Sequence, residues 1–266
     1  MELRTPRGKE SAGGSRRRRV LPVFMFGLGA LLVIFSAFQL LQGAREDAAA
    51  VGEYGDLRDL GAEIWSPSDT AESLPEAEDA VAVPNPMLGL LEINSDFVGW
   101  IRVPGTSVDY PIVRGADNAV YLYTTFGGEQ NPAGAIFMDY RARDGFGTPV
   151  TILYGHNMRN GTMFASLHQY KDPDFLARYP EITIMTVDGT LHTYRIFDVR
   201  YTDAWDAVYR LDFKDIDQAE AFFAPWGMAD ASHVLVLSTC VDGAGRDARL
   251  LVSAQLVHTQ TAAFMA

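Results

Sequence analysis

Cys240 is the only cysteine among 266 residues, and it ends the apolar run VLVLSTC, Val234 to Cys240. A thiol reacts as the thiolate, and with an unperturbed pKa of about 8.5 it is only slightly ionised at neutral pH. A nearby imidazole or guanidinium favours the ionised form. Two arginines, Arg246 and Arg249, follow the cysteine closely, and the chain has five histidines: His156, His168, His192, His233 and His258. His156 ends the apolar run TILYGH directly before a loop containing Asn and Gly, a place where a scaffold presents reactive groups. His168 falls on an expected helix, His192 beside an expected turn, His233 at a strand entry and His258 near the C-terminus, where solvated or capping roles suffice. A thiol, an imidazole and a guanidinium are the parts of a covalent acyl-transfer site. The competing reading of a lone cysteine is a buried, inert side chain that packs as a small hydrophobe.

For these groups to act together, the elements carrying them must bring them to one place. Side chains alternate along a strand, so Val234, Val236, Ser238 and Cys240 share one face, while Leu235 and Leu237 take the other and fill the interior. In the next apolar run, RLLVSAQLV, Arg249 is in phase with Leu251, Ser253 and Gln255. A tight connection then puts Cys240 and Arg249 at the same rim of a sheet. Six further runs read as strands: Val98–Val103, SVDYPIVR, Gly134–Arg141, Pro149–His156, Glu181–Gly189 and Leu191–Thr202. Asp188-Gly189 between the last two predicts a type I′ hairpin turn. Helical spacing marks Met163–Tyr170 with the following DPDFLARYP, and Asp215–Met228; Met87 begins a short helical turn. About eight short strands with a few helices predict a mainly β fold, a closed barrel carrying peripheral helices.

The termini differ in charge. Residues 1–19 carry seven Lys/Arg against two Glu, residues 20–41 carry no charge, and the remainder is net −17. The uncharged segment Val20–Leu41, 22 residues long, matches a hydrocarbon core of roughly 30 Å. A cleaved signal peptide has an apolar region of only about 7–15 residues and a small-residue cleavage site, so the segment reads as an uncleaved signal-anchor. The Arg16–Arg19 cluster then stays in the cytoplasm and the C-terminal part faces outside. Four regions result: a basic cytoplasmic tail (1–19), a transmembrane helix (20–41), an acidic, proline-interrupted extracellular stalk with one helix near Tyr54–Ile64 (42–86), and a catalytic domain (87–266). The acidic exterior discourages nucleic acid as a partner.

Several stretches resemble the class B sortases in order and spacing: NSDFVGWIRVPGTSVDYPIVRGADNAVYL, FGGEQNPAGAIFMDYR, TILYGHNMRNGTMFASLHQY, YPEITIMTVDG and LSTC with its following arginine. The resemblance covers about residues 87–258. It implies a closed, eight-stranded sortase-type barrel and a cysteine transpeptidase. The family's nucleophile falls on Cys240 and its histidine on His156. Its arginine falls on Arg249, with Arg246 as the competitor in the same loop region. Ser238 and Thr239 fall where substrate-binding residues line the pocket, although ordinary strand roles account for them equally well; Asp242 is a candidate to orient His156.

The implied substrates are exported proteins bearing a C-terminal sorting motif, cleaved after a threonine. The acceptor is an amine of a peptidoglycan precursor or of another surface protein, such as a pilin. No metal and no cofactor enters this chemistry. Two other readings compete: an extracellular cysteine peptidase in which water resolves the acyl-enzyme, and a non-catalytic surface binding module.

Overall fold

The computed structural model describes residues 15–62, 83–85, 87–230, 232–243, 245–261 and 264–265, with side chains left undescribed at 15–24, 83–84 and 264–265. In chain order the elements are α1 (Ser15–Gly61), β1 (Val83–Pro84), α2 (Met87–Ile93), β2 (Phe97–Arg102), β3 (Asp109–Val113), β4 (Ile136–Met138) and β5 (Val150–Tyr154). There follow α3 (Pro173–Arg178), β6 (Glu181–Thr186), β7 (Thr190–Asp203), α4 (Ile216–Phe223), β8 (Val234–Cys240), β9 (Ala248–Thr261) and β10 (Phe264–Met265). Strands β2 to β9 close into a barrel in the order β2-β3-β4-β5-β8-β9-β7-β6. The eight runs expected as strands are these eight. Pairs β3–β4 and β5–β8 are parallel and the other six antiparallel. β1 and β10 form a separate parallel pair.

Alternation sorts the β8 side chains as expected. Leu235 and Leu237 join the main core with Leu250, Val252 and Ala254 of β9. Val234 and Val236 join a second cluster with Val150, Ile152 and Leu251, closed by Ala219 and Phe223 of α4 and by Val208 and Met228. Both faces of β8 are therefore buried until the strand reaches Cys240, which is exposed. The outer layer is strongly aromatic: Phe222 and Phe223 meet edge to face at 4.9 Å, and Arg200 lies over the Trp226 ring at 4.1 Å.

Three local features differ from the sequence reading. The Met163–Tyr170 stretch forms a 3₁₀ helix at Ala165–Lys171, and Asp172 then caps α3 by accepting from the Asp174 N–H at 3.0 Å. The β6–β7 turn is not type I′. Gly189 has φ +82° while Asp188 is not among the described residues with positive φ, and the Gly189 N–H donates to the Thr186 carbonyl at 2.9 Å. This is the three-residue hairpin loop with glycine in the left-handed position.

The third concerns the helix expected near Tyr54–Ile64. Helix α1 instead runs unbroken from Ser15 to Gly61. Ala50, Tyr54 and Leu57 are buried, and Gly61 continues their helical spacing to meet Trp100. The Tyr54 ring packs edge to face on Tyr110 at 5.2 Å, and its hydroxyl donates to the Gly134 carbonyl at 2.6 Å. Arg58 donates to the Asp109 carbonyl, and Glu53 accepts from the Gly127 N–H at 2.7 Å.

Two units divide between Glu46 and Asp47. Within the first, the apolar side chains of α1 from Met25 to Leu41 are exposed, and α1 is long and apolar enough to cross a membrane. The basic tail up to residue 14 and the acidic, proline-containing residues 63–82 lie outside the described residues.

Candidate active site

Register brings the expected residues together. β8 and β9 pair antiparallel so that Cys240 stands directly opposite Arg249, and Ser238 opposite Leu251. On its other side β8 runs parallel to β5, with Ser238 level with Tyr154, and the Gly155 N–H continues the ladder to the Ser238 carbonyl at 3.2 Å. Two residues beyond that level lie Cys240 on one strand and His156 on the other. Gly155 is required between them, because a Cβ there would lie 2.6 Å from Ile136 and 2.7 Å from the Phe164 ring.

Cys240, His156 and Arg249 line one pocket of about 340 Å³, together with Ser238, Thr239, Leu122, Asn118, Tyr154 and Tyr209. His156 is half-buried, and its Nε2 lies 2.7 Å from the Leu122 carbonyl oxygen. A carbonyl only accepts, so Nε2 carries a hydrogen and Nδ1 is the nitrogen that gains and loses a proton. The Tyr123 ring lies beside the imidazole at 5.8 Å. The Arg249 guanidinium is half-buried and held by its own turn, donating to the carbonyls of Arg246 and Ala248 at 2.9 and 3.0 Å. Arg246 and Asp242 are exposed and neither lines the pocket. The Leu122 carbonyl, not Asp242, is the hydrogen-bond partner seen for His156. Ser238 is buried and shares a 2.8 Å hydrogen bond with the Tyr209 hydroxyl. Thr239 is buried, with no hydrogen-bond partner for its hydroxyl among the described residues.

Of the other histidines, His233 meets the Thr148 carbonyl and His192 meets Thr259, away from the pocket. His258 sits on β9 in register with Thr193. His168 is closer than its helical setting suggests, donating from Nε2 to the Cys240 carbonyl at 3.0 Å. Sequence reasoning also missed Tyr154, Tyr209, Asn118 and Leu122. Burial pushes the Tyr154 phenol far up, with the Asp139 charge adding to the effect, and burial likewise raises Tyr209. Both phenols are therefore neutral on the pocket wall, and the Tyr154 hydroxyl donates to the Asp139 carboxylate at 2.9 Å.

A surface thiol beside an imidazole and a guanidinium, at the mouth of a pocket floored by a barrel, is equipped for acyl transfer. The sortase domain model matches residues 101–257. The chain belongs to the sortase family. Its curated relatives place this sortase in class B, among cysteine transpeptidases. It is 32% identical over 162 residues to sortase B of Listeria monocytogenes, a match covering 57% of this chain and 65% of that protein. It is 28% identical over 255 residues to sortase B of Staphylococcus aureus, covering 91% and 98% of the two chains. Among solved structures, the Staphylococcus aureus sortase B–substrate complex superposes on this sortase with a TM-score of 0.66 at 27% identity, covering 80% of this chain and 98% of that one.

Proposed function

We propose that this sortase is a membrane-anchored transpeptidase that cleaves a C-terminal sorting motif of exported proteins and joins the released acyl group to an amine at the cell surface. The observation that carries the proposal is the shared pocket of Cys240, His156 and Arg249, with Cys240 directly opposite Arg249 in two paired strands.

Cys240 Sγ attacks the carbonyl of the motif's threonine. His156, protonated on Nδ1, gives that proton to the departing amine as the peptide bond breaks, leaving a thioester on Cys240. The incoming amine attacks the thioester, His156 Nδ1 takes its proton, and the thiolate leaves. The constant Nε2–H donation to the Leu122 carbonyl keeps the ring in one orientation through both steps. Arg249 stabilises the oxyanion or holds the substrate backbone, and Ser238 and Thr239 belong to the pocket wall. That the Staphylococcus aureus sortase B of similar fold was solved as a substrate complex supports a substrate-binding role for this domain.

The exposed apolar span of α1 supports an anchor, with residues 1–19 in the cytoplasm and the barrel outside. An enzyme tethered this way meets membrane-borne substrates at high effective concentration. The acceptor is an amine of a peptidoglycan precursor or of a second surface protein. The test is to trap the thioester on the full-length enzyme with the surface proteins of its own cell and read the attached peptide by mass spectrometry, with and without added amine. A peptide ending in threonine on Cys240, released faster and as an amide when amine is present, is the expected result. Release only as the free acid at every amine concentration makes the protein a peptidase instead.

A further inference from the structure

Behind the pocket lies a buried carboxylate that the reaction above does not use. Asp139 directly follows β4 and is fully buried. Its carboxylate accepts from Arg141 and from two residues of the pocket wall, Asn118 and Tyr154. Arg141 donates to it from Nε and Nη2, both at 2.8 Å, and from its backbone N–H at 3.0 Å. Asn118 Nδ2 donates at 2.9 Å and the Tyr154 hydroxyl at 2.9 Å. The same guanidinium reaches past Asp139 to the 3₁₀ turn after β7, donating to the carbonyls of Tyr209 and Arg210 at 2.8 and 3.1 Å. Asn118 is held from its other side as well, its Oδ1 accepting from the Tyr140 N–H at 3.1 Å.

Asn118, Tyr154 and Tyr209 come from three separate parts of the chain and all line the pocket with Cys240. Their distances to Asp139 or Arg141 are all at ordinary hydrogen-bond length, and the Tyr209 hydroxyl is tied in addition to Ser238 of β8 at 2.8 Å. Tyr154 stacks nearly parallel on Tyr209, with ring centres 6.3 Å apart, so one aromatic wall spans the junction. A carboxylate buried so deeply is tolerated only when its lone pairs are filled by donors. Burial alone would raise the Asp139 carboxyl; the donors from Arg141, Asn118 and Tyr154 outweigh it and hold the group below the usual carboxylate range.

We infer that the ionised Asp139 carboxylate, with Arg141 clamped to it, is the positioning residue of the substrate wall: it sets the placement of Asn118, Tyr154 and Tyr209 for the sorting peptide without touching substrate or thiol. The inference rests on the acyl-transfer reading of the pocket. It follows that disturbing Asp139 loosens substrate binding while leaving the nucleophile intact.

The experiment compares wild type, Asp139→Asn and Arg141→Lys as full-length proteins. D139N keeps the shape and removes the charge. R141K keeps a cation beside the carboxylate but loses the planar fork that reaches the Tyr209 and Arg210 carbonyls. Steady-state cleavage is measured on an internally quenched peptide carrying the junction recovered from Cys240 in the trapping experiment. Alkylation of Cys240 by iodoacetamide reports the thiol independently of the pocket. KM is expected to rise at least tenfold in D139N and at least threefold in R141K, with kcat and the alkylation rate within twofold of wild type. Hydrogen exchange should speed up around residues 118–123 and 204–211 with 234–240 unchanged. R141K decides the kinetics if D139N does not fold, since Arg141 is partly exposed.

An unchanged KM in the folded variants, or kcat falling in parallel with thiol alkylation, overturns the inference. So does faster exchange spread evenly over the barrel. Absence of any threonine-ended peptide on wild-type Cys240 sinks the acyl-transfer reading instead, and the exchange pattern then still decides whether Asp139 organises the wall.

Discussion

Tyr54 gives a quantitative handle on whether the end of α1 belongs to the catalytic unit. Its hydroxyl donates to the Gly134 carbonyl at 2.6 Å and accepts from the Phe126 N–H at 3.3 Å, and the residue is 3% exposed. Tyr54→Phe keeps the ring against Tyr110 and removes only the oxygen, leaving a buried carbonyl and a buried N–H without that partner. An orphaned buried polar group costs about 1–3 kcal/mol. The long 3.3 Å bond contributes weakly, so the single-group range applies to the pair. For a domain of this size 1 kcal/mol moves Tm by about 2–4 °C, giving an expected drop of about 2–12 °C. Tyr54→Ala adds the loss of a large buried ring, about 3–5 kcal/mol for an aromatic truncation, and should fall well below the phenylalanine variant. Thermal melts followed by circular dichroism on full-length protein, in the same detergent and at the same concentration, make the comparison. If Y54F melts within 1 °C of wild type and Y54A no lower than Y54F, the helix does not stabilise the barrel and the packing argument for residues 50–61 is wrong.

Gly134 sits at φ +56°, and a Cβ there would lie 2.5 Å from the Tyr121 carbonyl oxygen and 2.6 Å from that of Leu122, the partner of His156. Gly134→Ala should therefore lower stability and also depress kcat more than iodoacetamide alkylation of Cys240; an unchanged kcat would show that the Leu122 carbonyl does not position the imidazole. Arg249→Ala should reduce turnover by about 10²–10³, the usual cost of a lost oxyanion donor, and Arg246→Ala by less than threefold. A reversed order in steady-state kinetics would move the arginine role to Arg246. Asp139 should also appear in acid stability. Its folded pKa is depressed, so its contribution is complete above the unfolded value of about 3.9 and is lost as pH falls through the folded value. Denaturant melts between pH 5 and 2, as round figures, should lose stability more steeply for wild type than for Asp139→Asn, and parallel curves would refute that linkage.

How far the sequence alone reached is set by which contacts are local in period. Cys240 opposite Arg249 follows from alternation and a short connection, and the structure has that pair. The split between Leu235/Leu237 and Val234/Val236 follows from the same period, although only the packing of α4 explains why both faces are apolar. What joins distant segments left no such mark. The Leu122 carbonyl reaching His156, and Asp139 gathering Asn118, Tyr154 and Arg141, are set by barrel closure rather than by spacing. The docking face of α1 was readable in principle at Ala50, Tyr54 and Leu57, but the acidic residues around it pointed to a spacer. At the β6–β7 hairpin, Asp-Gly fits either a two-residue or a three-residue loop, and cross-strand register chose the latter.

The most direct test of the account is single-turnover intact-mass analysis of the enzyme mixed with its threonine-containing peptide in the absence of amine. Wild type should gain the mass of the N-terminal peptide fragment on Cys240 within one turnover. His156→Gln should gain it far more slowly, and Cys240→Ala not at all. Cleavage of the peptide by Cys240→Ala at the wild-type rate, or wild-type cleavage with no adduct under any quench, would contradict it.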